Sequence, residues 1–153
     1  MSAEARLAEL QIELPPAAEP KGVYRPILVV GNMAYTSGHL PIDADGTLTT
    51  GRVGKTLDQR AGHEAARLAG LGILATLRKE LGSLDRVRRL VKLFGIVCCS
   101  HDFTAQPAVI NGCSELFAEV FGPEAGVGAR SAIGTNSLPL EAAVEIEAIF
   151  EIV

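Results

Sequence analysis

The sequence predicts an α+β two-layer sandwich, in which two helices cover one face of a mixed β-sheet. Strand-like segments stand near both ends of the chain, and two helix-like segments separated by one further strand lie between them. The element order is therefore strand-strand-helix-strand-helix-strand-strand. With 48% hydrophobic and 21% charged residues, the 153 residues suffice for one core. We expect a single domain over residues 1–153.

The N-terminal part precedes this pattern. The segment MSAEARLAELQIEL predicts a short helix stopped by Pro15 and Pro16, and residues 14–23 form a proline-rich connector without periodicity. The first two strands follow in YRPILVVGNMAYTSG, where the residue pair 31–32, Gly-Asn, is a favourable hairpin turn.

The longer helix is predicted over about residues 56–81, with Thr56 or Asp58 near its N-cap and Gly82 behind its end. Three glycines fall inside it: Gly62, Gly70 and Gly72. Each costs about 1 kcal/mol relative to alanine in a helix interior. We therefore expect this helix to lie unusually close to the sheet.

The second half of the chain supplies the remaining elements. Residues 87–99 predict a strand, and residues 107–121 predict a helix whose apolar positions recur at helical spacing. Two strands then lie on either side of residues 138–139. In the last strand, residues 144–152, the even-numbered positions are all apolar and three of the odd-numbered ones are glutamates. That alternation predicts one buried and one open face.

The net charge of -4 argues against nucleic acid as a partner, because such binding needs a basic surface. The basic run from Arg86 to Lys92 is interpreted as a solvated strand edge. No apolar run approaches the roughly 20 residues that span a bilayer, and the N-terminus lacks the order of a signal peptide. We expect a cytoplasmic protein. Cys98, Cys99 and Cys113 show no metal-ligand spacing, which favours reduced core residues.

No pattern for a metal or an organic cofactor stands out. His63 in HEAAR lacks the second histidine of a zinc-protease helix, and His39 and His101 are isolated in sequence. Residues 51–56, GRVGKT, lack the first glycine of a phosphate-binding loop. A nucleophilic role for Ser37 is disfavoured, because YTSGHLP lacks the nucleophile-elbow pattern. We expect neither a metal nor a cofactor.

Two motifs together point to a known family. The first is GNMAYTSGHLP at residues 31–41, preceded by Tyr24, and the second is ARS, LP and VEIEAI within residues 129–149. In this order they resemble the Rid family, also called YjgF or L-PSP endoribonuclease-like, over about residues 24–152. Residues 1–20 lie outside the likeness. The resemblance implies a homotrimer whose sheets pack into a central barrel, with clefts between neighbouring chains.

The resemblance also implies roles for six residues. In deaminase members of the family, the arginine matching Arg130 binds the carboxylate of a 2-imino acid or of 2-aminoacrylate. The backbone of the residue matching Ala132 meets the imine nitrogen, and the glutamate matching Glu145 helps to place the attacking water. Residues matching three further positions line the cleft: Tyr24, Ser37 and Asn111. Ala132 replaces a cysteine that is common in those members.

These roles agree with elementary chemistry. A planar guanidinium can hold a carboxylate with two parallel hydrogen bonds, which also orients the imine carbon. A carboxylate near the attacking water can accept or relay a proton, and such help is typically worth about 10²–10⁴-fold. The sequence therefore predicts hydrolytic deamination of reactive 2-imino or enamine acids to 2-oxo acids and ammonia.

Other functions stay open from the sequence. A non-catalytic trimer could bind and report a small 2-oxo acid, and a ribonuclease follows only from the family's older name. The acidic charge and the lack of a histidine pair speak against the ribonuclease. At the level of residues, Arg130 could instead form a surface salt bridge to Glu145 or Glu147. Tyr24 and Ser37 could serve only the strand edge and the hairpin exit.

Overall fold

The helices and strands follow the predicted order in a computed structural model that describes all 153 residues. The strands are β1 (Ile27–Val30), β2 (Met33–Thr36), β3 (Val87–Cys98), β4 (Ala129–Thr135) and β5 (Val144–Ile152). The α-helices are α1 (Ala3–Glu9), α2 (Gln59–Leu81) and α3 (Gln106–Phe121). The predicted α+β sandwich is therefore confirmed.

The five strands form one mixed sheet in the order β1-β2-β5-β3-β4. Strands β3 and β4 are parallel because α3 crosses over between them, and the other neighbours are antiparallel. The predicted turn between β1 and β2 is confirmed, with Gly31 in the left-handed region at φ 61°. Strand β4 forms one edge of the sheet, and its outer side is unpaired.

The limits of α2 agree with the prediction. The Asp58 carboxylate accepts a hydrogen bond of 2.8 Å from the Ala61 N–H, and Gly82 ends the helix in the left-handed region at φ 83°. Both caps satisfy backbone groups that a helix terminus leaves free. Neither α2 nor another helix has the combined length and apolar character needed to cross a membrane.

The expected close approach of α2 to the sheet is wrong, because no residue of β1 to β5 is among the nearest contacts of its glycines, which instead are with α3, Val53 and His39. A Cβ atom on Gly62 or Gly70 would lie 3.2 or 2.9 Å from side chains of α3. On α3 itself, a Cβ atom on Gly112 would lie 1.9 Å from the carbonyl oxygen of His63. The glycines therefore let the two helices pack backbone against backbone.

The core lies between the helices and one face of the sheet. Phe117 of α3 and Phe150 of β5 are fully buried there, with ring centroids 5.6 Å apart in an edge-to-face arrangement. The even-numbered side chains of β5 are buried and the odd-numbered ones are more exposed, as the alternation predicts. All three cysteines are buried and unpaired.

Of two smaller expectations, one is wrong and one is confirmed. Helix α1 ends at Glu9, well before Pro15, because the chain reverses at Gln11 with φ 55°. The basic run from Arg86 to Lys92 lies at a solvated strand edge, as predicted, because β4 pairs with β3 only from Lys92 onward and the preceding residues of β3 pair with β5 alone. Arg88 and Arg89 are exposed there.

The N-terminal segment packs onto the domain at both ends. The Glu4 carboxylate binds the Arg78 guanidinium and accepts a hydrogen bond of 2.9 Å from the Leu84 N–H. Residues 14–21, which we call the strap, follow α1 and are tied down by an ion pair of 2.9 Å between Glu19 and Lys79. The strap thereby forms one wall of the cavity described below.

Candidate functional site

Arg130 is half-buried on β4, and its side chain points to the helix side of the sheet. Its Nη1 donates hydrogen bonds to Asn111 Oδ1 at 2.7 Å and to Ser114 Oγ at 3.1 Å. Nε and Nη2 have no hydrogen-bond partner in the chain, and the ion pairs of the chain do not include Arg130. The guanidinium is therefore held by neutral groups, with two nitrogens free for a ligand.

The partners of Arg130 come from one face of α3. Asn111 and Ser114 are three residues apart, so both side chains lie on the same side of the helix. The parallel pairing of β3 with β4 brings the start of β4 alongside this face. Sequence reasoning found Asn111 and missed Ser114, although the spacing of three residues was a usable signal.

The backbone of Ala132 is exposed at the edge of the sheet. The Thr135 carbonyl accepts a hydrogen bond from the Cys99 N–H on the β3 side. Backbone groups of successive residues alternate between the two sides of a strand, so those of Ala132 point to the unpaired side. Arg130 and Ala132 thus both present donors near one edge of β4.

A cavity of about 600 Å³ lies at the exit of the hairpin, between the strap and the segment that precedes β5. Its lining includes three of the residues that the sequence singled out: Tyr24, Ser37 and Glu145. The other three do not line it: Asn111, Arg130 and Ala132. The six predicted site residues therefore fall into two groups within one chain.

Glu145 lies against the backbone of the hairpin exit. A Cβ atom on Gly38 would lie 2.1 Å from Glu145 Oε1, so only glycine leaves room for the carboxylate in this position. Burial raises the pKa of Glu145 above the usual carboxyl range, and the nearby charge of Glu147 raises it further. A carboxylate with these properties is suited to accept and return a proton.

Ser37 and His39 form the wall beside Glu145. The Ser37 hydroxyl donates to the Arg25 carbonyl at 2.5 Å, which leaves its oxygen able to accept but its proton engaged. His39 Nδ1 lies 2.7 Å from the Ser37 carbonyl, and Nε2 lies 2.8 Å from Thr76 Oγ1. Since a carbonyl only accepts, Nδ1 carries the proton and the Thr76 hydroxyl donates to Nε2.

Burial lowers the pKa of His39, although its hydrogen bond to Ser37 acts in the opposite direction. A neutral imidazole with both nitrogens engaged fixes the hairpin exit against α2 and is not free for proton transfer. His39 looked isolated in sequence because Thr76 lies 37 residues away. Its positioning role was therefore not predictable from spacing.

The charges around the cavity disfavour an anionic ligand within one chain. Three carboxylates line it, those of Glu19, Asp43 and Glu145, against the single cation Lys21. Glu19 is neutralised by its ion pair with Lys79 outside the lining. A carboxylate ligand would therefore need a further cation to be stabilised here.

Arg130 and Glu145 are too far apart to hold one small molecule within a chain. Across the sheet, Arg130 of β4 pairs with Leu93 of β3, and Leu93 pairs with Ala148 of β5. Glu145 lies three residues before Ala148 on β5. Two strand spacings and three residues place their Cα atoms about 14 Å apart. Their side chains also lie on opposite faces of the sheet, because Arg130 contacts α3 whereas the buried face of β5 is that of the even-numbered residues.

Comparison of the sequence with known proteins identifies the family of the chain. Residues 4–151 match the family described as "YjgF/chorismate_mutase-like, putative endoribonuclease", and the chain belongs to this family. The matched range includes most of the N-terminal segment. Protein TCP17 of Trypanosoma cruzi is 42% identical over 148 residues, which are 97% of this chain and 92% of that protein.

Solved structures agree with this assignment. Protein Atu1372 of Agrobacterium tumefaciens, whose function is described as unknown, has 42% identity and a TM-score of 0.89, over 99% of this chain and 94% of that one. A Shewanella oneidensis protein described as "a putative endoribonuclease" has 31% identity and a TM-score of 0.94. The match covers 99% of this chain and 100% of that one. RidA from an Antarctic Psychrobacter has 27% identity and a TM-score of 0.62, over 90% and 94%.

Proposed function

We propose that this protein is a cytoplasmic hydrolytic deaminase of reactive 2-imino and enamine acids, acting in clefts between the subunits of a homotrimer. The observation that supports it best is the state of Arg130, whose guanidinium is fixed by Asn111 and Ser114 but paired with no carboxylate. Two free guanidinium nitrogens match the two oxygens of a substrate carboxylate.

Assembly follows from the separation of Arg130 and Glu145. A single cleft contains both only if one chain supplies the arginine and a neighbour supplies the cavity. Such a head-to-tail contact closes into a ring when the rotation allows it, and a trimer is one such ring. The cation that the cavity lacks is then Arg130 of the adjoining chain.

The open face of the sheet supports the same assembly. Four large apolar side chains are between 42% and 58% exposed on it: Leu28, Val30, Tyr35 and Ile133. Leu28, Val30 and Tyr35 are neighbours on β1 and β2, and monomeric proteins rarely expose large apolar patches. Packing of three such faces around a common axis would bury it and would form the central barrel.

The chemistry needs one water molecule and no cofactor. Water oxygen adds to C2 of the imine, the π electrons of the C=N bond move to nitrogen, and a proton passes from water to that nitrogen. The resulting carbinolamine then passes its hydroxyl proton to nitrogen and expels ammonia, as the electrons of the O–H bond form the second bond of the carbonyl at C2. An enamine acid enters this sequence after protonation at its methylene carbon gives the imine.

The residues divide this work between them. Arg130 binds the carboxylate and fixes C2, and the Ala132 backbone contacts the imine nitrogen from the sheet edge. Glu145 carries both protons: it accepts one from the attacking water and donates it to the imine nitrogen, and it then moves the carbinolamine hydroxyl proton to the departing nitrogen. Tyr24 and the Ser37 oxygen complete the wall of the cleft.

The test compares two variants that each remove one cation. Arg130→Met removes the proposed clamp, whereas Lys21→Met removes the cation that lines the cavity within the chain. With 2-aminoacrylate generated in situ by a dehydratase, we expect Arg130→Met to abolish the acceleration of pyruvate and ammonia release. Lys21→Met should stay within about twofold, because a flexible exposed lysine gives no bidentate contact.

Full activity of Arg130→Met would refute the assignment. If the wild-type protein accelerates no imino acid but binds 2-oxo acids through Arg130, the protein is instead a non-catalytic binder. The ribonuclease named in the family description has less support. No hydrogen bond joins two of the three histidines, since His39 contacts Ser37 and Thr76 and His63 contacts Glu115. RNA cleavage that disappears in Arg130→Met would overturn that ranking.

A further inference from the structure

The part of the cavity away from Glu145 has an apolar wall. Four of the eight prolines in the chain line it: Pro15, Pro16, Pro26 and Pro139. Proline has no backbone N–H, so these residues offer a ligand no hydrogen-bond donor. Two aliphatic side chains, those of Leu40 and Ile42, extend the same surface. An apolar ligand group in contact with this wall is therefore stabilised mainly by burial.

Leu140 is presented to this wall by a strained turn. Its φ is 58° and that of Glu141 is 62°, a left-handed conformation that residues with a β-carbon rarely adopt twice in succession. The turn is stabilised on the side away from the cavity. The Glu141 carbonyl accepts a hydrogen bond from the Gly51 N–H, and Ala142 is fully buried. As a result, the Leu140 side chain is 69% exposed while it lines the cavity.

The strap that supplies Pro15 and Pro16 is fixed before any ligand binds. Ile12 and Leu14 pack against the hydrophobic core on one side of the two prolines, and on the other side the exposed Glu19–Lys79 ion pair adds at most about 1 kcal/mol. The wall is therefore preformed, and a ligand that contacts it does not have to order it.

Within one chain, the cavity is larger than a three-carbon acid needs. A volume of about 600 Å³ lies in the middle of the range of roughly 300–1,000 Å³ that larger organic ligands occupy. The carboxylate and imine of any substrate require only the part next to Glu145. The remaining space, bounded by prolines and aliphatic side chains, is suited to a bulky apolar group.

We propose that the preferred substrates are 2-imino acids with a branched aliphatic or aromatic side chain, and that Leu140 and the strap prolines select them. This inference rests on the proposed function in placing the reacting acid beside Glu145. A second carboxylate is disfavoured, because Asp43 and Glu145 are unpaired carboxylates of the lining and only Lys21 opposes them. A three-carbon acid would leave the apolar wall in contact with water.

The test uses 2-oxo acids, the stable products of the reaction, as binding probes. Calorimetric titration compares 4-methyl-2-oxopentanoate and phenylpyruvate with pyruvate and 2-oxoglutarate. Leu140→Asn is the informative variant, because asparagine tolerates the left-handed backbone and the fold is retained. Leu10→Asn is the matched control, since Leu10 is also exposed but lies outside the cavity.

We expect both bulky apolar acids to bind at least about tenfold more tightly than pyruvate or 2-oxoglutarate, as one or two extra apolar groups in a preformed pocket produce. Leu140→Asn should reduce this preference about fivefold or more, and Leu10→Asn should preserve it. Equal affinity for all four acids, tighter binding of 2-oxoglutarate, or an unchanged preference in Leu140→Asn would overturn the inference.

A second measurement separates this inference from the proposed function. The corresponding imino acids, made in situ by an amino-acid oxidase, are followed by ammonia release beyond the uncatalysed rate. Apolar preference in binding without any acceleration would refute the deaminase and support the selectivity of the cavity. Acceleration with no preference between alanine-derived and leucine-derived imines would support the deaminase and refute the selectivity.

Discussion

Gly38 provides a way to move the Glu145 carboxylate without disturbing the fold. In Gly38→Ala, the new Cβ atom would lie 2.1 Å from Oε1, 2.8 Å from Cδ and 2.9 Å from Cγ of Glu145. All three atoms belong to one flexible side chain, and no backbone atom is among the nearest contacts. Glu145 can therefore rotate away while the hairpin and β5 stay in place.

The size of the effect follows from these distances. Oε1 must move by about 1.3 Å to reach an ordinary contact of 3.4 Å, and a misplacement of about 1 Å can cost 10²-fold in rate. The cost in folding should be at or below the lower end of the roughly 1–3 kcal/mol typical of overpacking, because the clash is relieved by one rotation. We expect kcat/KM to fall about 100-fold with little change in stability.

The assay measures kcat/KM for an imino acid together with the thermal midpoint of unfolding. Gly72→Ala is the matched control, because Gly72 lines the same cavity and its new Cβ atom would meet only His39 Cδ2, at 3.7 Å. That variant should retain activity and gain up to about 1 kcal/mol, as alanine does over glycine within a helix. Wild-type activity in Gly38→Ala would refute the role given to the Glu145 carboxylate.

The remaining predictions concern stability. Gly112→Ala should lower the free energy of unfolding by about 3 kcal/mol in denaturant titration, because its Cβ atom would meet the His63 backbone and force α2 and α3 apart; a change below about 1 kcal/mol would contradict the packing described. Burial raises the pKa of Glu145 above its unfolded value of 4.5, so its favourable contribution exists below that pH and is lost as the pH rises through the folded-state pKa. At a protein concentration low enough to keep the chain monomeric, Glu145→Gln should therefore melt at a higher temperature than wild type at pH 8, and the difference should vanish near pH 4; the opposite trend would show that the carboxylate stabilises the fold.

The fold was predictable because its signals are local. Alternation in β5, the Gly-Asn turn after β1 and the Asp58 cap each specify their own element. The packing partner of the α2 glycines was not predictable in this way, because Gly112 lies on another helix and only the fold brings it to His63. By contrast, the basic run at residues 86–92 correctly indicated a solvated strand edge, because β4 pairs with β3 only from Lys92 onward.

The sequence predicts a set of candidate site residues but not their arrangement. Motifs indicated Arg130 and Glu145, yet their placement on opposite faces depends on the strand order and on the alternation of β5. The environment of Glu145 depends on Gly38, and this contact was not predicted because glycine contributes no side chain to a motif. Leu140 was not predicted as a cavity residue, because its exposure depends on a left-handed backbone conformation that the sequence LPLE does not indicate.

The most direct test of a site shared between chains mixes two inactive variants. Arg130→Met and Glu145→Gln are unfolded together in equal amounts and refolded, so that hybrid oligomers form. If one chain supplies the arginine and its neighbour the carboxylate, about one quarter of the clefts regain both groups, and activity should rise to about that fraction of wild type. Activity that stays at the level of the separate variants, although hybrids are present, would contradict a site shared between chains.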